Sequence, residues 1–391
     1  MVPTLKLTGI QLLGLAGLGA AAGIWIKRRV PVLDRLNVPA PIAGGMLYAL
    51  LALALRDRVV NLDADTSLRD LLQIAFFTTI GLSVRVEALR RGGSALVWLL
   101  AAASAGALLQ NLLGIGLAKA LGIDARIGIL AGSVSLAGGP ATSLAFGFTF
   151  EHMGVTGATT IAIAAATFGI TVSGLIGGYI GGSLIERRKL LSSGATPTAA
   201  ASREAAGSLM NAGIMIAIAM GLGSLVSLGV QRTGVILPAY IGAMAVAALM
   251  RNLDDRYRFA RIGQFEVDEI GRVTLHLFIV MALVTLRLWE LAHLAGPMLI
   301  LLAAQVALVW LLCVTLVFRV MGRDYDAAVS AAGFCGFMLG ITANAVAVME
   351  ELVEKYGPAP RAFLVVPVVG AFLIDFTNSL IITAMANWVR K

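Results

Sequence analysis

The sequence predicts an all-α polytopic membrane protein with ten transmembrane helices in two inverted five-helix repeats, each carrying a re-entrant hairpin. Three observations lead there. First, 59% of the 391 residues are hydrophobic and only 13% are charged, whereas soluble domains carry about 25% charged residues. Second, the charges fall in short clusters between long apolar runs, and each crossing of a hydrocarbon core about 30 Å thick needs about 20 apolar residues. Third, two apolar stretches, at about 126–150 and 326–349, are interrupted at their centres by glycine and hydroxyl residues. The net charge of +8 does not mark a nucleic-acid binder, because Lys and Arg sit between the apolar runs and form no basic domain. That distribution is what charge that sets topology looks like.

The first five spans are read at 7–26, 39–55, 68–84, 94–118 and 157–183. The second five are read at 208–230, 234–250, 267–286, 297–318 and 363–388. The first stretch follows one cation, Lys6, and precedes Lys27-Arg28-Arg29. That order is the reverse of a signal peptide, so the span is expected to be retained. With both termini outside, 20 of the 30 Lys and Arg residues lie on the cytoplasmic side, including Arg187-Arg188-Lys189. Full crossing by either interrupted stretch would make the later loops swap sides, and crossing by the first would move that cluster outside. Both are therefore expected to enter and leave on one face, which is tolerated only where protein or a water-filled cavity surrounds the broken backbone.

The chain also repeats itself. A shift of 201 residues superposes Gly132 on Gly333, Gly139 on Gly340 and Gly169 on Gly370. The stronger sign is the order of elements, five spans and one hairpin in 1–190 and again in 208–391. An odd number of spans sets the halves in opposite orientations, the plan of secondary transporters. Residues 191–207, with Ser192-Ser193-Gly194-Ala195-Thr196-Pro197-Thr198, read as a cytoplasmic linker.

Several polar positions stand out. The first break reads Gly138-Gly139-Pro140-Ala141-Thr142-Ser143. Glycines end one half-helix, and Pro140 suits the first turn of the next. The second reads Gly340-Ile341-Thr342-Ala343-Asn344, with Thr342 or Asn344 as a cap. Bare helix N-termini attract carboxylates, so Gly139, Thr142, Ser143, Gly340, Thr342 and Asn344 are the expected substrate-binding residues. Thr and Ser bonded back to their own backbone would be the plainer outcome. In the last span Asp375, Asn378 and Ser379 share a helix face. A carboxylate at bilayer depth is costly, and a face of oxygens suits a hard cation such as sodium. Gln110 and Asn111 either bond across helices or line the path, and His276 reads as a packing residue. Thr167, Thr171 and Ser173 mark the fifth span. Asp254-Asp255-Arg256-Tyr257-Arg258 and Arg323-Asp324-Tyr325-Asp326 read as solvated loop charge. Cys313 and Cys335 give neither a disulfide framework nor metal-ligand spacing.

Together these residues resemble the sodium/glutamate symporter family along nearly the whole chain. The resemblance is carried by Ser67-Leu68-Arg69-Asp70, by Ala75-Phe76-Phe77 with Thr79-Ile80-Gly81-Leu82, and by Gln110-Asn111 with Gly114-Ile115-Gly116. It continues in Ala166-Thr167-Phe168-Gly169, Leu288-Trp289-Glu290-Leu291-Ala292 and Tyr325-Asp326-Ala327-Ala328-Val329. Its most specific part runs from Ala362-Phe363-Leu364-Val365-Val366-Pro367 through Gly370-Ala371-Phe372 to Asp375. The resemblance implies sodium-coupled symport of glutamate or a related small anionic amino acid or dicarboxylate across the bacterial inner membrane. It implies a homodimer with an elevator-like motion, sodium as the coupling ion and no other cofactor. Both breaks depart from the family pattern, which usually has Gly-Gly-His-Gly-Thr-Gly at the first and Ala-Thr-Pro after the glycine at the second. The rival classes are a proton-coupled carboxylate transporter, a passive channel and an intramembrane enzyme. The last would need a nucleophile or metal cluster that the spans do not spell.

Overall fold

The computed structural model describes residues 2–35, 38–87, 93–192, 208–288 and 295–390. The 193–207 part of the linker and most of Leu288-Trp289-Glu290-Leu291-Ala292 lie outside the described residues. In chain order the principal helices are α1 (Gly9–Arg29), α2 (Ala40–Leu55), α3 (Ser67–Ser83), α4 (Gly93–Ala120), α5 (Ala125–Ile129), α6 (Gly139–His152) and α7 (Ala158–Arg188). They continue as α8 (Leu209–Gln231), α9 (Ala239–Tyr257), α10 (Gln264–Val284), α11 (Ala295–Leu312), α12 (Tyr325–Leu339), α13 (Thr342–Tyr356), α14 (Pro360–Val368) and α15 (Ile374–Arg390). A helix thus lies over each stretch read as a span. Among the described residues, six helices are long and apolar enough to cross a membrane: Gly9–Arg29, Gly93–Ala120, Ala158–Arg188, Leu209–Gln231, Gly296–Val320 and Pro360–Val389.

The expectation of purely α structure needs one correction. Thr4–Leu7 pairs in parallel with Asn61–Ala64. These residues precede α1 and α3, outside the apolar runs, where extended backbone needs partners of its own.

The chain divides into two compact units, and neither follows the sequential halves. One gathers residues 1–83 and 204–293. In it Leu12 and Ala16 of α1 pack on Val280, Met281 and Val284 of α10. Ala75 and Leu82 of α3 join Ala212, Met215, Ile216 and Ala219 of α8, with Ala247 and Val267. Small residues let helices approach closely: a Cβ on Gly44 of α2 would overlap the Gly19 carbonyl of α1.

This unit also corrects, for Asp254 and Asp255, the reading of Asp254-Asp255-Arg256-Tyr257-Arg258 as solvated charge, while Arg256, Tyr257 and Arg258 are exposed. Helix α9 runs past 250 to Tyr257. Arg251 and Asp254 are buried. The Asp254 carboxylate accepts the N–H groups of Ala260 (2.7 Å), Arg261 (3.1 Å) and Ile262 (2.8 Å). Arg251 donates from Nη1 to the Ile262 carbonyl (2.9 Å) and pairs with Asp255 (3.2 Å). The charges tie down the irregular chain between α9 and α10, where backbone groups would otherwise lack partners.

The other unit gathers 84–203 and 294–391. Helix α7 packs against both α6 and α12, and α4 packs against α5, α11 and α15. Among the described residues, π-helical turns interrupt its helices at Leu130–Val134, Cys313–Val317 and Val369–Leu373. Gly132 within the first has non-helical φ/ψ of −95° and −130°. The third follows Pro367, which cannot donate to the helix ladder.

Each interrupted stretch is closed at its ends. Arg126 Nη1 donates to the Met153 carbonyl (2.7 Å), and Tyr325 Oη donates to the Gly357 carbonyl (2.5 Å). The Arg126 guanidinium also binds Asp124, whose carboxyl it holds below the ordinary value. Arg323-Asp324-Tyr325-Asp326 is likewise not merely solvated. Asp324 caps α12 through the Ala327 N–H (2.8 Å) and binds Arg361 Nη2 (2.7 Å). Asp326 accepts the N–H groups of Arg361 (2.9 Å) and Ala362 (3.1 Å), and Tyr325 is buried.

Candidate functional site

Within this second unit the two breaks come together. Gly139 opens α6 at φ +63°, the left-handed region that glycine enters freely. A Cβ built on it would lie 3.0 Å from Ile341 Cγ2 and 3.7 Å from the Gly340 carbonyl oxygen. Helix α7 backs both breaks: a Cβ on Gly169 would overlap the Leu339 carbonyl and come within 2.7 Å of Leu136 Cδ2. On the same helix Ser173 faces Gly340, whose Cβ would meet Ser173 Oγ at 2.5 Å.

Neither N-terminus at the breaks carries a side-chain cap. Pro140 occupies the first turn of α6, as the sequence predicts. The expected cap by Thr342 or Asn344 is not formed. Instead Ile341 precedes α13, and Asn344 turns inward to donate from Nδ2 to the Ile170 carbonyl of α7 (2.8 Å). That bond satisfies a buried amide better than a cap at the half-exposed tip would. Thr342 is half-buried, Ala343 is exposed and Asn344 is buried. The first turn of α13 therefore lacks a side-chain cap, and an uncapped helix N-terminus favours an anion.

The hydroxyls divide. Ser143 Oγ donates back to the Gly139 carbonyl (2.7 Å), and Thr167, Thr171 and Ser173 bond back to carbonyls of α7. Thr142 is buried with its Cβ against Gly138. A back-bonded hydroxyl has spent its proton but keeps acceptor capacity.

Of the expected cation residues, Asn378 and Ser379 are fully buried, and Asp375 is half-buried. Nearby, Ser104 Oγ of α4 donates to Thr377 Oγ1 (3.1 Å). Asn378 Nδ2 donates to the Ser133 carbonyl (2.9 Å), while Asn111 Oδ1 accepts the Ser133 N–H (3.0 Å). Two buried amides thus clasp the backbone beside the Gly132 distortion. Gln110 and Asn111 bond across helices: Gln110 Nε2 donates to the Met338 carbonyl (3.1 Å), and the Gln110 carbonyl accepts from Gln305 Nε2 (2.7 Å). Several buried polar atoms here have no hydrogen-bond partner among the described residues. They include Ser133 Oγ, Gln305 Oε1, Asn344 Oδ1, Asn378 Oδ1 and Ser379 Oγ. Asn111 Nδ2, a donor in the same cluster, is unpaired too, and buried polar groups normally find partners.

Ser133 and Gln305 were not among the residues singled out from sequence. Gln305 carries the signal that exposed Asp375, a polar side chain deep in an apolar helix. Ser133 sits beside a glycine inside an interrupted stretch. Elsewhere His276 Nδ1 contacts the Arg272 carbonyl of its own helix (2.7 Å), and Cys313 and Cys335 are buried free thiols. Among the described residues no group of three or more His, Cys, Asp or Glu side chains is arranged to hold a metal ion.

Comparison with known proteins places this chain in a family. The model of the sodium/glutamate symporter family matches residues 5–358. A sodium/glutamate symporter of Escherichia coli K12 is 39% identical over 364 residues, covering 90% of this chain and 91% of that relative. One of Haemophilus influenzae is 37% identical over 387 residues, covering 95% of each. Among solved structures, a sodium proton antiporter of Methanocaldococcus jannaschii aligns over 97% of this chain and 98% of its own, at 16% identity and a TM-score of 0.43. By the family model and by both relatives, the chain belongs to the sodium/glutamate symporter family.

Proposed function

We propose that this chain is a secondary active transporter that couples sodium entry to uptake of glutamate or a closely related small anionic amino acid or dicarboxylate. The observation that carries this reading is the meeting of the two breaks, Gly139 against Gly340 and Ile341, with an uncapped helix N-terminus at each. An anionic substrate lies there against N–H groups and partial positive charge. Gly139, Thr142, Ser143, Gly340, Thr342 and Asn344 surround it, Asn344 by holding α13 to α7. Asp375, with Asn378 and Ser379, takes the sodium ion, whose charge the carboxylate balances. The protein is not an enzyme, and sodium is its coupling ion.

In this reading ten helices span the bacterial inner membrane as two inverted repeats, 1–190 and 208–391, joined by a cytoplasmic linker at 191–207. The stretches 126–150 and 326–349 are re-entrant hairpins. The closure of each at its base, Arg126 to Met153 and Tyr325 to Gly357, supports that. So does the division into units, since each unit takes corresponding helices from both halves: α1–α3 with α8–α10, and α4–α7 with α11–α15. Both termini lie outside, as the cation bias directs, and the protein works as a homodimer in the bilayer.

The test is uptake into proteoliposomes of a panel of radiolabelled acidic amino acids, dicarboxylates and neutral and cationic solutes. Accumulation of an acidic solute above its external concentration, only under an inward sodium gradient, is expected. Transport restricted to neutral or cationic solutes, or indifferent to sodium, would overturn the reading.

A further inference from the structure

Resting on that reading, we propose that the sodium ion bridges the last span to the broken leg of the first hairpin, with the Ser133 hydroxyl as a ligand opposite Asn378. Ser133 lies in the π-helical turn Leu130–Val134, next to the residue whose backbone leaves helical geometry. Both of its main-chain groups are engaged: the N–H donates to Asn111 Oδ1 at 3.0 Å, and the carbonyl accepts from Asn378 Nδ2 at 2.9 Å as well as from the Gly138 N–H at 3.0 Å. A carbonyl can only accept, so Asn378 must turn its Nδ2 toward it. That choice fixes where Asn378 Oδ1 goes, and that oxygen has no donor among the described residues. The Ser133 hydroxyl has none either, and both residues are fully buried.

Two unpaired oxygens on residues already joined by a 2.9 Å hydrogen bond are expensive in an apolar interior. A hard cation turns that cost into ligation, since oxygen donors are what such ions select. Asp375 lies one helical turn before Asn378 and, with Ser379, extends the oxygen face along α15. Asn111 presents a donor, Nδ2, on its remaining side and is therefore the clasp, not a ligand. The consequence is mechanical. The ion draws the distorted leg of the first hairpin onto the last span, and that leg continues through Leu136, packed beside Gly169, to the tip at Gly139. Sodium binding thereby fixes the tip on which the substrate sits, which is a physical route for coupling the two.

The structural alternative predicts a different response to mutation. If the Ser133 hydroxyl only packs, removing an unpaired buried hydroxyl is neutral or mildly stabilising and leaves ion dependence unchanged. The experiment measures thermal unfolding of the full-length purified protein against sodium concentration, with potassium holding ionic strength constant. Wild type, Ser133→Ala, Ser133→Cys and Asp375→Asn are compared. A ligand that binds only the folded state raises the midpoint with its concentration. The expected result is a sodium-dependent rise in wild type. In Ser133→Ala and Ser133→Cys the half-effective sodium concentration rises about tenfold or more, with the sodium-free midpoint at or above that of wild type. Ser133→Cys keeps the side chain's size while replacing a hard oxygen by a soft sulfur, so a shift there reports ligation and not packing. Wild-type sodium dependence in both Ser133 variants overturns the proposal, whatever Asp375→Asn does. A shift in the Ser133 variants without one in Asp375→Asn keeps Ser133 as a ligand and removes Asp375. Absence of any sodium effect on wild type overturns the sodium reading and this proposal together.

Discussion

Gly169→Leu is expected to abolish sodium-driven uptake while the protein still reaches the membrane. Gly169 is where α7 meets both breaks. Any Cβ there overlaps the Leu339 carbonyl, which is backbone and cannot rotate away, and crowds Leu136 from the other interrupted stretch. Leucine adds three further carbons to a place with no room for one. Overpacking a close contact commonly costs about 1–3 kcal/mol when neighbours shift. Here the neighbours that shift are the two legs that set the tips against each other. Gly139 then separates from Gly340 and Ile341, and the two breaks no longer meet. The check is initial uptake rate normalised to folded protein, beside the milder Gly169→Ala. We expect residual transport with a raised KM for alanine and none for leucine. Wild-type uptake by the leucine variant would show that this contact does not set the site.

Asp375→Asn is expected to raise the half-saturating sodium concentration for uptake by about tenfold or more, equivalent to about 1.4 kcal/mol, with far less effect on the amount of folded protein. Among the described residues, the Asp375 carboxylate has no hydrogen-bond or ion-pair partner, although it sits on a membrane-spanning helix. A carboxylate kept for structure would be bonded to a neighbouring helix, since an uncompensated charge at that depth is costly. Asparagine has nearly the same shape but no charge to balance the ion. Uptake is measured against sodium concentration and normalised to folded protein. Loss of folded protein with unchanged sodium dependence in the remainder would assign Asp375 a structural role.

Much of this organisation is legible in the sequence because hydropathy and helix breaking are local signals. The runs around 94–118 and 157–183 can only be long apolar helices, and α4 and α7 lie over them. Gly138-Gly139-Pro140 ends one helix and starts another on glycine and proline chemistry alone, and the break falls there. What the sequence leaves unread is pairing between distant residues. Asp254 and Asp324 look like any loop carboxylate until the N–H groups they accept are known. The inward turn of Asn344 depends on Ile170, 174 residues away in sequence. The clasp on Ser133 needs Asn111 and Asn378 from two other helices. Periodicity says which face of a helix is apolar, but not which helix it meets. For the same reason the gathering of α1–α3 with α8–α10 was not apparent from a chain read in sequential halves.

The central claim is that the paired tips form the substrate site and that sodium controls it. Ala343 gives direct access to that claim, being exposed in the first turn of α13, while the native Cys313 and Cys335 are buried. In an Ala343→Cys variant that retains uptake, the rate of alkylation by a small maleimide is measured with sodium alone, with glutamate in potassium, and with sodium and glutamate together. The account predicts slowing by about tenfold or more, relative to sodium alone, only when sodium and glutamate are both present, because the ligand then covers the tip. A rate unaffected by glutamate in sodium, or equal protection without sodium, would contradict it.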